Sequence, residues 1–524
     1  MKYITRLAVA VFAGLAAPAV AAAQPATAPP ADRAGPAHPE PPSASPEPAV
    51  LPPASPPPRA PPSVAGPAVP TGPEWASLRL LRDKGLISDA ELGSALADIG
   101  VVGAGEATTL VVAKLKATIY GYVEGNFKYD STQTCVEFCG SSQVPRPGTY
   151  KGNHGRTIFS ARDSRFGLRL AAPEDHGVRV SGGIETDFFG PSATTEQSTY
   201  VNPVLRIRTA YVKLETPVLD ILVGQSWSLF GWQPLFISAS VQYPGLPGET
   251  FERTPQLRLS RTFKGEAVTA ELAIAANRPP QQDSSTPEGV AGIRLQFTRW
   301  TGQHTTYMAN TAIQAASLGV SADLRRFRIP ELSATPRSGI GRTGGGVAFS
   351  GYLPIIPATR TAKDNALSLN GEVSITRGMS DDYTTLGAAG TANAAIPAAT
   401  PDGAATPYVA NFDPGLAAID AAGHVELIKW LACFASLEFY PAGTGGRLGL
   451  YANYGHMESS NARSVGTAAA TKIRDHEDLF EVGVLVDPTR ATRVAASGSL
   501  YDDVYADHVA AKNYSVLVSG WLFF

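Results

Sequence analysis

The stretch Tyr514-Ser-Val-Leu-Val-Ser-Gly-Trp-Leu-Phe-Phe524 shows most clearly which class of fold the chain adopts. Every second residue is aliphatic, aromatic or glycine: Tyr514, Val516, Val518, Gly520, Leu522 and Phe524. Because side chains alternate between the two faces of a strand, the pattern predicts a β-strand with one continuous apolar face. In lipid such a strand must pair along both edges, since an open edge leaves backbone groups without hydrogen bonds. We therefore expect it to close a transmembrane β-barrel by pairing with the first strand.

The same alternation begins near Lys116 and continues to the end of the chain. In the first segment, one face carries Ala117, Ile119, Gly121, Val123, Gly125 and Phe127. The other face carries Lys116, Thr118, Tyr120, Tyr122, Glu124 and Asn126. One face therefore suits lipid and the other suits water, as in the wall of an outer-membrane barrel.

Sixteen such segments begin near residues 116, 158, 177, 204, 219, 255, 266, 290, 303, 342, 365, 424, 446, 477, 490 and 513. The connectors are alternately short and long, as periplasmic turns and outer loops are. The short ones lie near 173–175, 216–218, 264–265, 301–302, 354–363, 441–446 and 487–489. The long ones lie near 131–157, 190–203, 228–254, 277–289, 315–341, 378–423, 458–476 and 503–512. An even count puts both barrel ends on the periplasmic side, while fourteen or eighteen strands remain alternatives.

Composition narrows the class of protein. The chain has 524 residues, a net charge of −3 and three cysteines, so it lacks the basic signature of a nucleic-acid partner. No CxxC pair is present, which disfavours a zinc site, and we expect no cofactor. Cys135 and Cys139 are spaced for a small-loop disulfide in an oxidising compartment. A soluble β-sandwich shows the same alternation, but the long loops and the secretory signal favour the barrel.

Three segments precede the predicted barrel at 115–524. Residues 1–23 read as a signal peptide, with Lys2 and Arg6 before an apolar run and Ala21-Ala22-Ala23 before the cleavage point. A membrane-anchor helix is the alternative for this segment. Residues 24–73 are rich in Pro, Ala and Ser and predict an extended periplasmic linker, either a passive tail or a tether with a peptidoglycan-side contact. Residues 74–100 predict a short helical hairpin, either a self-associating element or an independent knob.

Charged residues on the wet faces are the candidate functional groups, because a pore makes and breaks no bonds. Alternation puts basic and acidic side chains on the luminal side of several strands: Arg165, Arg169, Arg179, Glu185, Asp187, Arg206, Arg208, Arg258 and Arg294. Strand direction brings Arg206, Arg208, Arg258 and Arg294 to the upper lumen, near Glu185 and Asp187. A ring of guanidinium groups stabilises an anion in a narrow channel and offers a bidentate fork to carboxylate or phosphate. Mutual neutralisation with the acids, giving a non-selective lining, is the alternative.

The connector 228–254 is rich in aromatic residues and proline. Trp232, Phe236 and Arg253, the last just above its strand, are the constriction candidates. The loop has three possible places: inside the lumen, over the centre of an oligomer, or across the mouth. Inward folding is favoured, because so apolar a loop should not remain solvated.

Four motifs resemble the DcaP-like trimeric porins and, more loosely, the phosphate-selective porins. They are Ser164-Arg-Phe-Gly-Leu-Arg-Leu170, Glu185-Thr-Asp-Phe-Phe-Gly190, Leu205-Arg-Ile-Arg-Thr-Ala-Tyr211 and Leu222-Val-Gly-Gln-Ser-Trp-Ser228. The match is dense over residues 160–230. The resemblance implies a homotrimer of sixteen-stranded barrels in the bacterial outer membrane, surrounded by lipid and passing small anionic solutes such as dicarboxylates.

Rival functions have weaker support. An enzymatic function has little support, because the sequence lacks a GxSxG elbow and an HExxH motif. The stretch Gly339-Ile-Gly-Arg-Thr-Gly344 matches GxGxxG but has no βαβ unit around it, so we discard it as a nucleotide site. An adhesion or structural barrel would have a plugged lumen, and no long plug segment is present. The favoured hypothesis is a porin with a preference for anions, and a general porin is the alternative.

Overall fold

The computed structural model describes residues 84, 109–112, 115–133, 144–191, 197–241, 245–282, 284–305, 311–383, 386, 403, 415–419, 424–464 and 474–524. The predicted signal peptide, linker and helical hairpin lie outside these residues apart from Lys84, as do Cys135 and Cys139. Among the described residues, no helix combines the length and hydrophobicity that a bilayer-spanning helix needs.

Twenty strands account for most of the described chain. They are β1 (Thr109–Val112), β2 (Leu115–Asp130), β3 (Arg156–Ser160), β4 (Arg165–Ala171), β5 (Arg179–Asp187), β6 (Arg206–Glu215), β7 (Asp220–Trp227), β8 (Arg253–Lys264), β9 (Val268–Asn277), β10 (Glu288–Thr305), β11 (Thr311–Pro330), β12 (Gly339–Ile356), β13 (Ala366–Arg377), β14 (Ala417–Ile419), β15 (Val425–Leu427), β16 (Lys429–Tyr440), β17 (Leu448–Ser459), β18 (Arg474–Thr489), β19 (Thr492–Tyr505) and β20 (Ala510–Phe523). The one helix with an α-helical turn is α1 (Tyr150–Asn153), in the first long connector of the described chain.

The large sheet closes into a barrel of sixteen antiparallel strands within the described residues. It holds 18 strands, of which β1 folds back on the start of β2, and β3 and β4 form one interrupted strand that pairs with β2. β14 and β15 pair only with each other, in a hairpin inside a long connector. The last strand, β20, pairs with β2, so no edge is left open. The predicted fold class and the even strand count are confirmed.

The closing seam joins the terminal residue to the first long strand. Phe524 accepts a backbone hydrogen bond from Gly121 at 3.0 Å and donates one back at 3.1 Å, while Phe523 lies opposite Tyr122. Both the N-terminal end of β2 and the C-terminal end of β20 therefore lie at the end of the barrel that carries the shorter turns. This is the periplasmic end in the predicted topology.

The barrel wall separates apolar from polar side chains as the sequence predicts. On β2, Val123 is 56% exposed and faces outward, whereas Glu124 and Lys128 face inward and are each 1% exposed. The same alternation runs through β20, where Tyr514 and Val516 are exposed and Asn513 is fully buried. The outer surface is thus an apolar band, and the inside is lined by polar and charged groups.

Three predicted connectors are wrong. The predicted turn at Thr301-Gly302 is part of β10, which continues to Thr305, and the next strand, β11, begins at Thr311. A register shift between Phe297 and Thr301 breaks the alternation there, which imitates a strand end. The predicted loops 315–341 and 503–512 shrink to 331–338 and 506–509, because the outer ends of β11 and β19 carry polar residues yet remain in the sheet.

Candidate functional site

The predicted charged residues lie on the inner face of one half of the barrel, β4 to β10. Outward-facing neighbours such as Phe166, Ile184 and Ile207 are 49%, 53% and 55% exposed, which fixes the inward direction of the residues between them. The inward set contains Arg165 and Arg169 on β4, Arg179, Glu185 and Asp187 on β5, Arg206 and Arg208 on β6, Arg258 on β8 and Arg294 on β10.

Five of these residues form one ion-pair network. Asp187 accepts hydrogen bonds from Arg206 Nη2 at 2.6 Å and from Arg208 Nη1 at 2.7 Å. Glu185 accepts from Arg208 Nε at 2.8 Å and lies 3.6 Å from Arg165 Nε. The carboxylates therefore hold three guanidinium groups side by side across three adjacent barrel strands.

A β-bulge makes this packing possible. Between Glu185 and Thr186 the register to β6 shifts, so that Thr186 lies opposite Ile207 and Glu185 lies opposite Thr209. Arg208 is the additional residue, and both Arg208 and Thr209 are buried. Bulges commonly turn a side chain toward a functional site in this way. The sequence carries a sign of it, because the outward apolar positions change parity between Ile207 and Val212.

The network has a solvent-exposed side and a buried side. The Arg206 side chain is 31% exposed and that of Arg165 is 12% exposed, whereas Asp187 is 1% and Arg208 is 0% exposed. The acid that holds Arg206 thus lies behind it, away from the water in the lumen. The surface that a solute meets here is formed more by arginine than by carboxylate.

The remaining predicted residues occupy other levels of the wall. Arg179 pairs with Glu215 at 3.5 Å near the short-turn end and is 59% exposed, so it does not belong to the upper group. Arg294 pairs with Glu271 at 2.6 Å. Arg258 donates to the Trp227 carbonyl at 2.5 Å and to Gln256 at 2.9 Å. Only the Arg165–Arg206–Arg208 group is brought into one network.

Aromatic rings cover the faces of these arginines, which limits how far the side chains can move. The guanidinium carbons lie over ring centroids in the following pairs: Arg165 and Tyr122 at 5.1 Å, Arg169 and Tyr120 at 3.9 Å, Arg206 and Phe189 at 5.4 Å, Arg208 and Trp227 at 5.9 Å, Arg253 and Trp227 at 5.1 Å, and Arg294 and Trp232 at 5.7 Å. Arg253 is the first residue of β8 rather than part of the loop above it.

The described residues of the connector between β7 and β8, 228–241 and 245–252, fold into the barrel, as the apolar composition predicts. Phe230 and Phe236 are fully buried and Trp232 is 3% exposed. The indole of Trp232 lies against β10 and β11, where Gly292 and Gly319 leave room for it, and its Nε1 donates to the Val320 carbonyl at 3.0 Å. Trp232 and Phe236 are therefore anchors of the loop in the wall.

The tip of this inward loop reaches the opposite wall. Ser240 donates to Glu481 of β18 at 2.7 Å, and Asn453 of β17 donates to the Ala239 carbonyl at 3.2 Å. Near Gly248 the loop backbone approaches the carbonyl oxygens of Cys433 and His456. The described loop residues therefore span the lumen from β7 to β17 and β18, and Ile237 and Ala239 also pack in a cluster with Tyr122 of β2 and Trp521 of β20.

An acidic cluster lies on the far side of the loop and was missed by the sequence argument. Arg325 of β11 is fully buried and pairs with Glu288 at 2.6 Å, Asp382 at 2.7 Å and Asp381 at 2.5 Å. Asp381 and Asp382 belong to the connector after β13, and Phe251 of the inward loop donates to the Asp382 carbonyl at 2.8 Å. The cluster ties the two connectors to the wall. Arg325 was not among the predicted luminal residues, because the sequence analysis placed residues 315–341 in a loop.

The lumen offers no metal-binding group within the described chain, since no three His, Cys, Asp or Glu side chains converge there as ligands. What the arrangement can do is electrostatic. Arg206 and Arg165 are partly exposed on the luminal face, whereas the carboxylates of Asp187, Glu288 and Asp382 are buried in ion pairs. Charged rings of this kind set which ions pass a narrow aqueous channel.

No family model and no curated protein sequence matches the chain. Among solved structures, the outer membrane channel DcaP of Acinetobacter baumannii matches with a TM-score of 0.57 at 16% identity, over 80% of this chain and 100% of that one. Salmonella typhi OmpF, in a complex with daunomycin, has a TM-score of 0.46 at 10% identity over 80% and 100% of the two chains. An anion-selective porin from Comamonas acidovorans has a TM-score of 0.43 at 11% identity over 78% and 100%. At such identities the DcaP match shows the fold, which is that of an outer-membrane barrel, in agreement with the predicted resemblance.

Proposed function

We propose that this protein is a porin that lets small hydrophilic solutes diffuse across the outer membrane and favours anions such as dicarboxylates. The supporting observation is the division of exposure in the ion-pair network. Arg206 is 31% exposed, while its partner Asp187 is 1% exposed. A solute in the lumen therefore meets the cation first.

A planar-bilayer experiment tests the proposal. The wild-type protein should conduct, and its reversal potential in a salt gradient should indicate anion preference. Replacing Arg206 and Arg208 together by Ala removes two of the three clustered guanidinium groups and should shift the reversal potential toward cations. The matched control is Arg299→Ala, which removes an exposed arginine that pairs with Glu266 at 3.4 Å near a turn.

The outcomes separate the alternatives. Absence of conductance would contradict the porin function and favour an adhesion or structural barrel. Conductance with a reversal potential near zero would favour a general porin, whose arginines are neutralised by Glu185 and Asp187. Conductance with anion preference that both variants retain would contradict the role of Arg206 and Arg208.

We further propose that the working form is a homotrimer, which rests on the sequence resemblance to the trimeric porins. Chemical cross-linking in native outer-membrane vesicles should give a species of three copies. A monomer as the largest species would contradict this assembly.

A further inference from the structure

A row of cations stands on the outer surface of the barrel, above the apolar band of β11 to β16. Arg326 and Arg328 lie on β11, Arg377 ends β13 and Lys429 begins β16, and all four are exposed. Their outward direction follows from the residues between them, since Phe327 and Ile329 are buried on the inner side. They occur at the barrel end that carries the longer loops.

The row lies directly above lipid-facing side chains. Leu324, Ile375 and Leu431, two residues below Arg326, Arg377 and Lys429 respectively, are 63%, 67% and 45% exposed. On each of the three strands, the outward side chains therefore change from apolar to cationic over two residues. This is the depth at which lipid headgroups meet the barrel wall.

The glycine-rich start of β12 makes space for two of the guanidinium groups. Gly341 lies opposite Arg328 and Gly339 opposite Pro330 in the pairing of β11 with β12. A Cβ atom at Gly341 would lie 3.6 Å from Arg326 Nη2, and one at Gly339 would lie 3.4 Å from Arg328 Nε. The arginines thus lie across bare backbone and keep their donor groups accessible. The glycine motif that resembled a nucleotide site has this local structural role.

Like charges face each other in the row. Arg377 and Lys429 are direct cross-strand partners, an arrangement that is unfavourable unless an anion offsets the repulsion. Among the residues the structure describes, none of the four cations forms an ion pair. Of the nearby acids, Glu331 accepts from the Arg337 backbone at 2.7 Å, and the exposed Glu458 of β17 lies opposite Leu431 and 3.9 Å from His456.

The other side of the same rim differs. On β19 and β20, Lys512 is outward and exposed but pairs with Asp502 at 3.0 Å. At this depth, Lys512 on β20 is therefore neutralised by an adjacent carboxylate, whereas the cations of the β11–β16 row form no ion pair with described residues.

We propose that this surface binds the phosphate groups of an anionic lipid in the outer leaflet. Its acyl chains would lie on the band formed by Leu324, Ile375 and Leu431, while its phosphates meet the cations above. Arginine offers a bidentate fork to phosphate, and adjacent strands are only about 4.8 Å apart, so one headgroup reaches two strands. The inference is independent of the proposed channel function.

Binding of diphosphoryl lipid A to the full-length detergent-solubilised protein tests the proposal, with the dephosphorylated lipid as the matched probe. The wild type should retain the phosphorylated lipid in native mass spectra. Replacing Arg326 and Arg328 by Gln should weaken this binding by roughly tenfold, because each cation near a charged lipid surface contributes a modest favourable term. Lys512→Gln is the matched control and should bind like the wild type.

A double variant with Lys at both positions keeps the charge and should retain most of the binding, provided that its folded band on an unheated gel matches the wild type. Equal binding by the Gln double variant would overturn the proposal. So would equal binding of the dephosphorylated lipid, or complete displacement of the lipid by inorganic phosphate, which would indicate a free-anion site. Cross-linking between copies of an Arg328→Cys variant would instead assign the surface to a protein partner and also overturn the proposal.

Discussion

At the scale of single residues, Asp187 is the centre of the arginine network. It holds both Arg206 and Arg208, and it is 1% exposed. Asp187→Asn should lower the free energy of unfolding by about 3–5 kcal/mol, because it leaves a buried guanidinium with one fewer counter-charge. Urea unfolding of the reconstituted barrel measures the change. The matched control is Asp220→Asn, whose carboxylate is 24% exposed and lies 3.2 Å from Lys213; it should cost less than about 1 kcal/mol. Equal changes in the free energy of unfolding for the two variants would contradict the central role of Asp187 in the network.

A second residue, Glu249, should make the inward loop sensitive to pH. It lies in the loop rather than in a strand, and burial raises its pKa to about 7 from the ordinary 4.5, against the lowering effect of hydrogen bonds from the Leu246 and Ser238 backbone. His304 and Glu372 are the titratable groups that face it. Since the folded pKa is the higher one, the stabilisation is complete below about pH 4.5 and is lost as the pH rises through about 7.

Loop fluctuations should therefore increase between about pH 4.5 and pH 7, and single-channel recordings should show more current noise over that range. Glu249→Gln keeps the neutral form at every pH, so its noise should not change across the range. A wild-type recording that is flat over the same range would contradict the link between Glu249 and the loop.

At the scale of elements, the sequence predicted the strands far better than the connectors. Strands such as β2 and β20 have one face in lipid, so their alternation is strict and their register is readable. The outer ends of β11 and β19 leave the apolar band, and there the alternation no longer reports a strand. Loop positions depend on contacts far along the chain. Asp381 and Asp382 contact Arg325 because two connectors fold inward together, and the sequence around these residues does not predict that contact.

The inward loop has a contact that one methyl group should disturb. Gly248 has a φ of +82°, and a Cβ there would overlap the Cys433 carbonyl oxygen and lie 2.6 Å from that of His456. Gly248→Ala should displace the loop tip from the opposite wall and change the single-channel conductance. Gly443→Ala is the matched control, because Gly443 has a φ of +81° and nothing within 4 Å. Both variants carry the same backbone strain of about 1 kcal/mol, so any difference between them reports the contact.

At the scale of the whole molecule, charge is distributed unevenly around the lumen. On β4 and β6, Arg165 and Arg206 are partly exposed on the luminal face, whereas Arg325 and its partner Glu288 are buried. The net charge of −3 gives no hint of this division. Under the proposed porin function, selectivity would depend on which charges are exposed in the lumen, a property of the assembled barrel that composition does not show.

The closure of the barrel gives the sharpest test of the fold as a whole. Gly121 lies at the seam, where a Cβ would overlap the Arg165 carbonyl oxygen and lie 3.1 Å from the Phe524 ring. Gly121→Val should force β2 away from its neighbours and leave backbone groups of the seam unpaired in lipid. Refolding in lipid vesicles, followed as the folded band on unheated gels, should then fail or fall severalfold. Gly125→Val, on the same face of β2 with nothing within 4 Å, should refold like the wild type. If both variants fold equally well, the seam between Gly121 and Phe524 is not the point at which the barrel closes.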